Sequence, residues 1–262
     1  KENAVKIYFQ KPASEIITDD NKKVSGVRTK AGDIIQADAV IVATGGASYP
    51  GTGSTGDGYD MARKLGHNVI SPLPALVPLK TLEQWPKELQ GLTLKNVEAS
   101  LWVDAKEQAK EFGEMLFTHF GISGPIILTL SRFASQALSK NRKVVIKINL
   151  KPALSFEQLD QRVQRDFHKY INKLFRNSLN DLLPKSMIPV IIKLSGINPD
   201  KTVNEITKEE RIKLVSLLQS LPINIIGTLG LAAAIVTSGG VDIKEVNPTT
   251  MESRLIKGLY WA

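Results

Sequence analysis

Apolar and polar residues alternate with a period of two over the first part of the chain, the mark of strands with one covered face. The alternation runs from Ala4 to Phe9, continues from Ser14 to Thr18 after Pro12, and returns in Val24–Thr29 and Ile34–Gln36. Asp19-Asp20-Asn21 and Ala31-Gly32-Asp33 separate these runs, so a β-meander with tight polar turns is predicted. Ala39-Val40-Ile41-Val42-Ala43 has no alternation and suits a strand buried on both faces, as in a parallel sheet. Thr44-Gly45-Gly46 ends it. Residues 57–66 then read as a short helix, with Asp57 as N-cap and Gly66 as stop.

Pro72, Pro74 and Pro78 punctuate the chain and mark the entry to a second domain. Beyond them, Leu76–Leu79, Lys95–Val103 and Lys143–Leu150 read as strands. Pro125 opens an amphipathic helix to about Leu138, capped by Ser123. From Ser155 to about Ser220 apolar residues recur every three or four positions, with Ser155 and Gln158 spaced as a capping box. Ile223 to Val241 then runs into Thr237-Ser238-Gly239-Gly240, a second glycine pair like the first. Two such ends about 190 residues apart suggest one sheet interrupted by an insertion. The domains expected are 1–75 with 241–262, and an insertion over 76–240. The insertion is strand-rich to about 150 and helical over about 151–222. The fold class is α/β plus α+β.

Composition narrows the chemistry. With 42% hydrophobic and 23% charged residues the chain has a globular profile, and no apolar run approaches the ~20 residues that span a bilayer. Lys1-Glu2-Asn3 shows no signal-peptide pattern. Cysteine is absent, which rules out disulfides and thiolate metal sites and fits a cytoplasmic location. His67, His119 and His168 lack metal-ligand spacing, so no metal is expected. The net charge is +8, and residues 140–176 hold ten Lys/Arg against three Asp/Glu. No base-stacking aromatics interleave in that run, so it reads as a solvated face and nucleic acid is not expected as a partner.

Gly51-Thr52-Gly53-Ser54-Thr55-Gly56 fits the G-x-G-x-x-G pattern literally. A dinucleotide fingerprint needs its first glycine immediately after the strand, whereas Thr44–Pro50 intervenes here. The match is read as a turn or a ligand-edge loop.

Several segments together carry a family resemblance. Ala39–Gly46 resembles the second flavin-contacting segment of glutathione-reductase-type flavoproteins. Adding Gly51–Gly58, Leu116-Phe-Thr-His-Phe-Gly-Ile-Ser-Gly-Pro125, Thr237–Val241 and Lys257–Tyr260, the chain is similar to the HI0933-like (BaiN and aminoacetone oxidase-like) flavoprotein family. That resemblance implies a partial glutathione-reductase-type FAD-binding domain with an inserted β-barrel-like and helical domain over about Pro78–Val236. It implies an oxidoreductase in which hydride passes from a small organic substrate to FAD, with NAD(P) as a further possible cofactor. Ala13 would meet the adenine, and Ala43, Thr44, Gly45 and Gly46 would line the adenosine and phosphates. Thr52, Gly53, Ser54, Thr55 and Gly56 would lie near the flavin, and Gly239 and Gly240 at the return to its domain. The family's first βαβ unit and its C-terminal end lie outside this sequence. Weak FAD binding and little activity are therefore expected of this stretch alone.

His119 is the candidate for proton transfer, set against a structural role at the Gly121–Pro125 turn. Trp85, Trp102 and Trp261 are expected to pack rather than stack on a flavin. A second functional reading makes the basic insertion an interaction module for a protein or nucleic acid, with no catalysis of its own.

Overall fold

A computed structural model describes residues 5–262; Ala4 and the Lys1-Glu2-Asn3 start lie outside the described residues. The strands are β1 Ala13–Thr18, β2 Val24–Thr29, β3 Ile34–Gln36, β4 Val40–Val42, β5 Val69–Ala75, β6 Leu79–Thr81 and β7 Thr93–Val103. They continue as β8 Lys106–Thr118, β9 Gly121–Ser123, β10 Val144–Asn149, β11 Leu221–Thr228, β12 Val236–Val241 and β13 Leu259–Trp261. The helices are α1 Asp57–Lys64, α2 Trp85–Glu88, α3 Pro125–Leu138, α4 Phe156–Lys169, α5 Ile188–Ser195 and α6 Lys208–Gln219. No helix is long and apolar enough to cross a membrane among the described residues. The chain divides into two compact units, Lys1–Leu73 with Leu231–Ala262, and Pro74–Gly230.

In the first unit the predicted meander is present as antiparallel β1-β2-β3. The strand expected over Ala4–Phe9 is not: residues 5–8 are irregular, and Val5, Ile7 and Phe9 are 70–82% exposed. Alternation alone cannot make a strand without a partner edge. β4 pairs with β13 in parallel, Val40–Val42 against Leu259–Trp261. Val42 is buried with Ile16, Val24, Met61, Ile256 and Leu259, but Ile41 is 68% exposed. The expected burial on both faces is therefore corrected to burial on one. Gly56, not Asp57, caps α1, because its φ of 86° suits glycine and Asp57 is already helical.

The proline stretch is not a linker. Pro72 and Pro74 lie inside β5, whose sheet has only β12 as a second strand, so their missing N–H groups leave no inner ladder broken. Pairing with β5 also places residues 231–240 in the first unit, where they had been expected to finish the insertion. The two glycine-pair strands, β4 and β12, belong to separate two-stranded sheets rather than one interrupted sheet.

In the second unit six strands close an antiparallel barrel in the order β10-β11-β6-β9-β8-β7. Inward positions alternate along each strand, so Ala99, Leu101, Val103, Ile146, Ile148, Met115 and Phe117 form the interior. Ile127, Leu130 and Ala134 of α3 join this core, each fully buried. Burial of each large side chain contributes about 1.5–3 kcal/mol. The barrel's longest strand, β8, was not anticipated because Lys106–Glu114 is mostly charged or polar. Pairing with β7 along its whole length fixes it. Gly124 rather than Ser123 stands at the N-cap of α3, with Pro125 at the first helical position. Downstream, α4 carries the Ser155–Gln158 capping box and α6 one between Thr207 and Glu210. Asp160 of α4 and Arg211 of α6 pair at 2.7 Å, both largely buried.

A buried polar chain ties the first unit together. His67 Nδ1 lies 2.8 Å from Glu245 Oε2, and Nε2 lies 2.9 Å from Ser253 Oγ. Ser253 Oγ also accepts the backbone N–H groups of Leu255 and Ile256 at 3.0 and 2.9 Å. With both lone pairs used, its O–H is left to donate to Nε2, and Nδ1 is the nitrogen that faces the carboxylate. The serine–histidine–carboxylate order resembles a hydrolytic triad, but the serine is 7% exposed and its oxygen is fully engaged. It is a structural clasp. His67→Ala or Ser253→Ala should each lower the unfolding free energy by roughly 2–3 kcal/mol, since a buried group loses its partner. Urea denaturation followed by tryptophan fluorescence measures this, and a change under ~0.5 kcal/mol would refute the clasp.

Candidate functional site

The loop after β4 and the start of β12 meet in the first unit through one side chain. Thr237 Oγ1 accepts the Ala47 backbone N–H at 2.8 Å and shares a hydrogen bond with Ser48 Oγ at 2.8 Å. Gly46 lies so close that a Cβ there would overlap the Thr237 side chain. The two glycine pairs around residues 45 and 240 are thus brought together across 190 residues of sequence.

Tyr59, on the first turn of α1, fills the space between them. A Cβ on Gly240 would fall 3.0 Å from its ring, and one on Gly46 3.4 Å from its hydroxyl. Gly58 lets α1 approach the end of β4, since a Cβ there would meet Thr44 Oγ1. Gly239, at φ 107°, sits against the Ile70 and Ser71 carbonyls of β5, where any side chain would collide with backbone.

These residues wall a cavity of about 470 Å³, within the ~300–1,000 Å³ of ordinary ligand sites. Thr44, Gly45, Gly46, Ser54, Gly239 and Gly240 line it, as the sequence led one to expect. Ala13, Ala43, Thr52, Gly53, Thr55 and Gly56 are not in its lining. Ala13 starts β1 opposite Thr29, packed toward the small apolar core. Thr52 and Gly53 form a 3₁₀ turn, with the Thr52 hydroxyl donating to the Tyr49 carbonyl, so the literal glycine fingerprint is a turn whose Ser54 alone reaches the cavity.

Tyr59, Ser48, Thr237 and Trp261 also line the cavity, and sequence reading had not assigned them to it. Only their positions beside the glycine pairs could have signalled them. Among the described residues whose side chains line it, tyrosine is the only ionisable type. Burial holds the Tyr59 phenol above its ordinary pKa, so it stays a neutral hydroxyl at neutral pH. Trp261 adds a buried indole N–H that has no hydrogen-bond partner among the described residues. The cations of α1 are engaged elsewhere: Arg63 pairs with Asp60 and Lys64 Nζ donates to the Ser14 carbonyl.

The lining offers glycine backbone, neutral hydroxyls and apolar groups. A planar, uncharged, polar-edged ligand fits this surface, whereas a diphosphate would find no cation among the lining side chains.

His119 lies in the other unit, on the two-residue turn between β8 and β9, and is exposed. Its ring meets Phe120 edge-on at 4.8 Å. The turn itself needs Gly121, because a Cβ there would strike the Leu79 carbonyl and the Thr81 N–H of β6.

Residues 73–236 match the family model described as the HI0933-like protein barrel and H2TH domain. A 3-dehydro-bile acid Δ4,6-reductase of Clostridium scindens is 30% identical over 87% of this chain and 56% of its own length. Ribosomal RNA dihydrouridine synthases of Haemophilus influenzae and Escherichia coli are each 33% identical. They align over 86% and 88% of this chain and over 53% and 54% of their own. The chain spans about half the length of the curated relatives it matches. Because the matched domain covers the whole barrel and helical unit described above, the chain belongs to the HI0933-like family.

Proposed function

We propose that this chain contributes the ring-binding cleft and the inserted domain of an FAD-dependent reductase that saturates a carbon–carbon double bond conjugated to a carbonyl. The observation that carries the reading is the cavity of the first unit, whose uncharged, glycine-walled surface suits an isoalloxazine ring and not a diphosphate. Parallel pairing of β4 with β13 and the glycine ends of β4 and β12 support the finer assignment of this unit to a glutathione-reductase-type FAD-binding domain.

The direction of transfer is the reverse of the sequence expectation. Two relatives' names, a Δ4,6-reductase and a dihydrouridine synthase, both describe the reduction of such a bond. When bound, reduced FAD supplies the hydride, and a reduced nicotinamide is its proposed electron source. The Gly45-Gly46 and Gly239-Gly240 backbones allow the ring to approach closely. Thr237 holds the two walls in register, and the neutral Tyr59 hydroxyl can donate to a ring carbonyl or nitrogen without opposing negative charge. His119, which belongs to the other unit, remains proposed for proton transfer.

Between residues 74 and 230 there are 22 Lys/Arg and 15 Asp/Glu, a net of +7 out of the chain's +8. A small acid needs no such field, whereas a nucleic acid is attracted by it over long range. Uridine within RNA is therefore the favoured substrate.

Riboflavin, which lacks phosphate, should bind and lose fluorescence. Tyr59→Phe should weaken it about 3–10-fold, the worth of one hydrogen bond. Ser54→Trp, which adds bulk at the cavity lining without altering a glycine backbone, should abolish binding while circular dichroism stays unchanged; equal affinity in Ser54→Trp would overturn the site. In the protein supplied with FAD and a reduced nicotinamide, His119→Gln should slow dihydrouridine formation by about 10²–10⁴-fold, with riboflavin affinity unchanged. Undiminished turnover would remove His119 from the mechanism.

A further inference from the structure

Of the aromatic residues between Lys140 and Arg176, Phe156, Phe167 and Phe175 pack into the core and Tyr170 sits beside Lys169 and Lys173, but the barrel adds another from outside the run. Antiparallel pairing of β10 with β7 sets Val145 opposite Trp102, and Lys147 opposite Ser100. Lys147 Nζ lies 3.6 Å from the centre of the Trp102 ring, and the indole N–H donates to Ser100 Oγ at 2.8 Å. The tryptophan is thus held on the outer wall of the barrel, partly exposed, beside a cation.

At the adjoining end of β10 a second basic group gathers. Lys140 and Arg142 line a small pocket with Gln108, Gln136 and Phe133. Its volume of about 110 Å³ is far below the ~300 Å³ at which whole ligands are accommodated, and it suits a single anionic group. Arg132 lies 4.9 Å from the Phe133 ring on the same helix. Asp104 turns Arg142 into place, accepting its Nε–H at 2.7 Å and the Lys143 backbone N–H at 3.0 Å. Both contacts hold that carboxyl below its ordinary pKa. Asp104 engages Arg142 and the Lys143 backbone, so Lys140 and the Lys143 side chain add charge that this carboxylate does not pair.

Further along the basic run part of the charge is offset. Arg162, Lys169 and Arg176 pair with Asp166, Asp181 and Asp200. The α3–β10–β7 face sets Lys140, Arg142, Lys143 and Lys147 against Asp104 and Glu107, the latter opposite Trp102 on β8, and so keeps a positive excess around an aromatic platform.

We propose that this face, built from Lys140, Arg142, Lys143, Lys147 and Trp102, is an RNA-binding surface. The backbone phosphates meet the cations and one base packs on Trp102. The inference rests on the reading of RNA as substrate and places where the strand is held. Phosphate contacts by Lys140 and Lys147 give affinity without sequence preference, while tryptophan stacking selects unpaired nucleotides, since a base within a duplex exposes no face.

The test is fluorescence anisotropy with a labelled twelve-nucleotide oligouridylate and the chain described here, at ~50 and ~200 mM salt. Wild type should bind with an affinity that falls steeply as salt rises. Lys140→Gln/Lys147→Gln should bind at least ~10-fold more weakly, with a log–log salt slope smaller by about 1.4, two phosphate contacts at ~0.7 each. Trp102→Leu should weaken binding about 5–100-fold with the salt slope unchanged. Lys208→Gln, on the first turn of α6, should bind as wild type does. Melting curves confirm that each variant is folded, and if Trp102→Leu is not, Trp102→Phe replaces it, with a smaller loss. Failure of the wild-type chain to bind the oligonucleotide would defeat the RNA reading itself. Binding by wild type and equal binding by both face variants would leave that reading standing and overturn this surface. Equal or tighter binding of a matched duplex would overturn the stacking role of Trp102.

Discussion

One hydroxyl group organises the candidate site. Thr237 Oγ1 joins the loop after β4 to the strand that returns from the insertion, and it does so at a place where the neighbouring residue can only be glycine. Without that contact the two glycine pairs have no reason to face one another. The backbone-walled cleft, the wedge of Tyr59 between the pairs, and the close approach of α1 through Gly58 all follow from it. The electrostatic character of the cleft is a second consequence. Walls made of backbone and hydroxyls select for shape and hydrogen bonding rather than charge, which is why the cleft and the strongly basic barrel unit call for different parts of the chemistry.

Much of this was legible in the residues, and what was not has definite physical causes. The meander, the helix opening at Pro125 and the Ser155–Gln158 cap rest on local signals, and local signals suffice for local structure. The Gly45-Gly46 and Gly239-Gly240 pairs could be matched because adjacent glycines after a strand have few other uses. Tyr59 and Thr237 were not legible, since their roles exist only once distant segments have met. Ile41 was misjudged for a related reason: an apolar run tells that a strand is coverable, and only its neighbours decide which faces are covered. The same holds for Pro72 and Pro74, which break a central strand but sit comfortably in a sheet of two.

Charge was the least legible property. A count along the sequence spreads the basicity of residues 140–176 evenly, whereas the folded chain pairs Arg162, Lys169 and Arg176 with Asp166, Asp181 and Asp200 and leaves Lys140 and Lys147 without such partners among the described residues. It also brings Trp102, about forty residues away, beside Lys147. A linear window sees neither event, because both are produced by strand register and helix packing.

The pairing of β5 with β12 has a bearing on how such a molecule can change over time. The strand that leads out of the first unit and the strand that leads back lie side by side, so the chain departs and re-enters at a common doorway. Whatever is threaded between those two strands can lengthen, shrink or be exchanged for another globule while the clasped rim stays intact. The first unit and the globule inserted between β5 and β12 can thereby vary independently of one another.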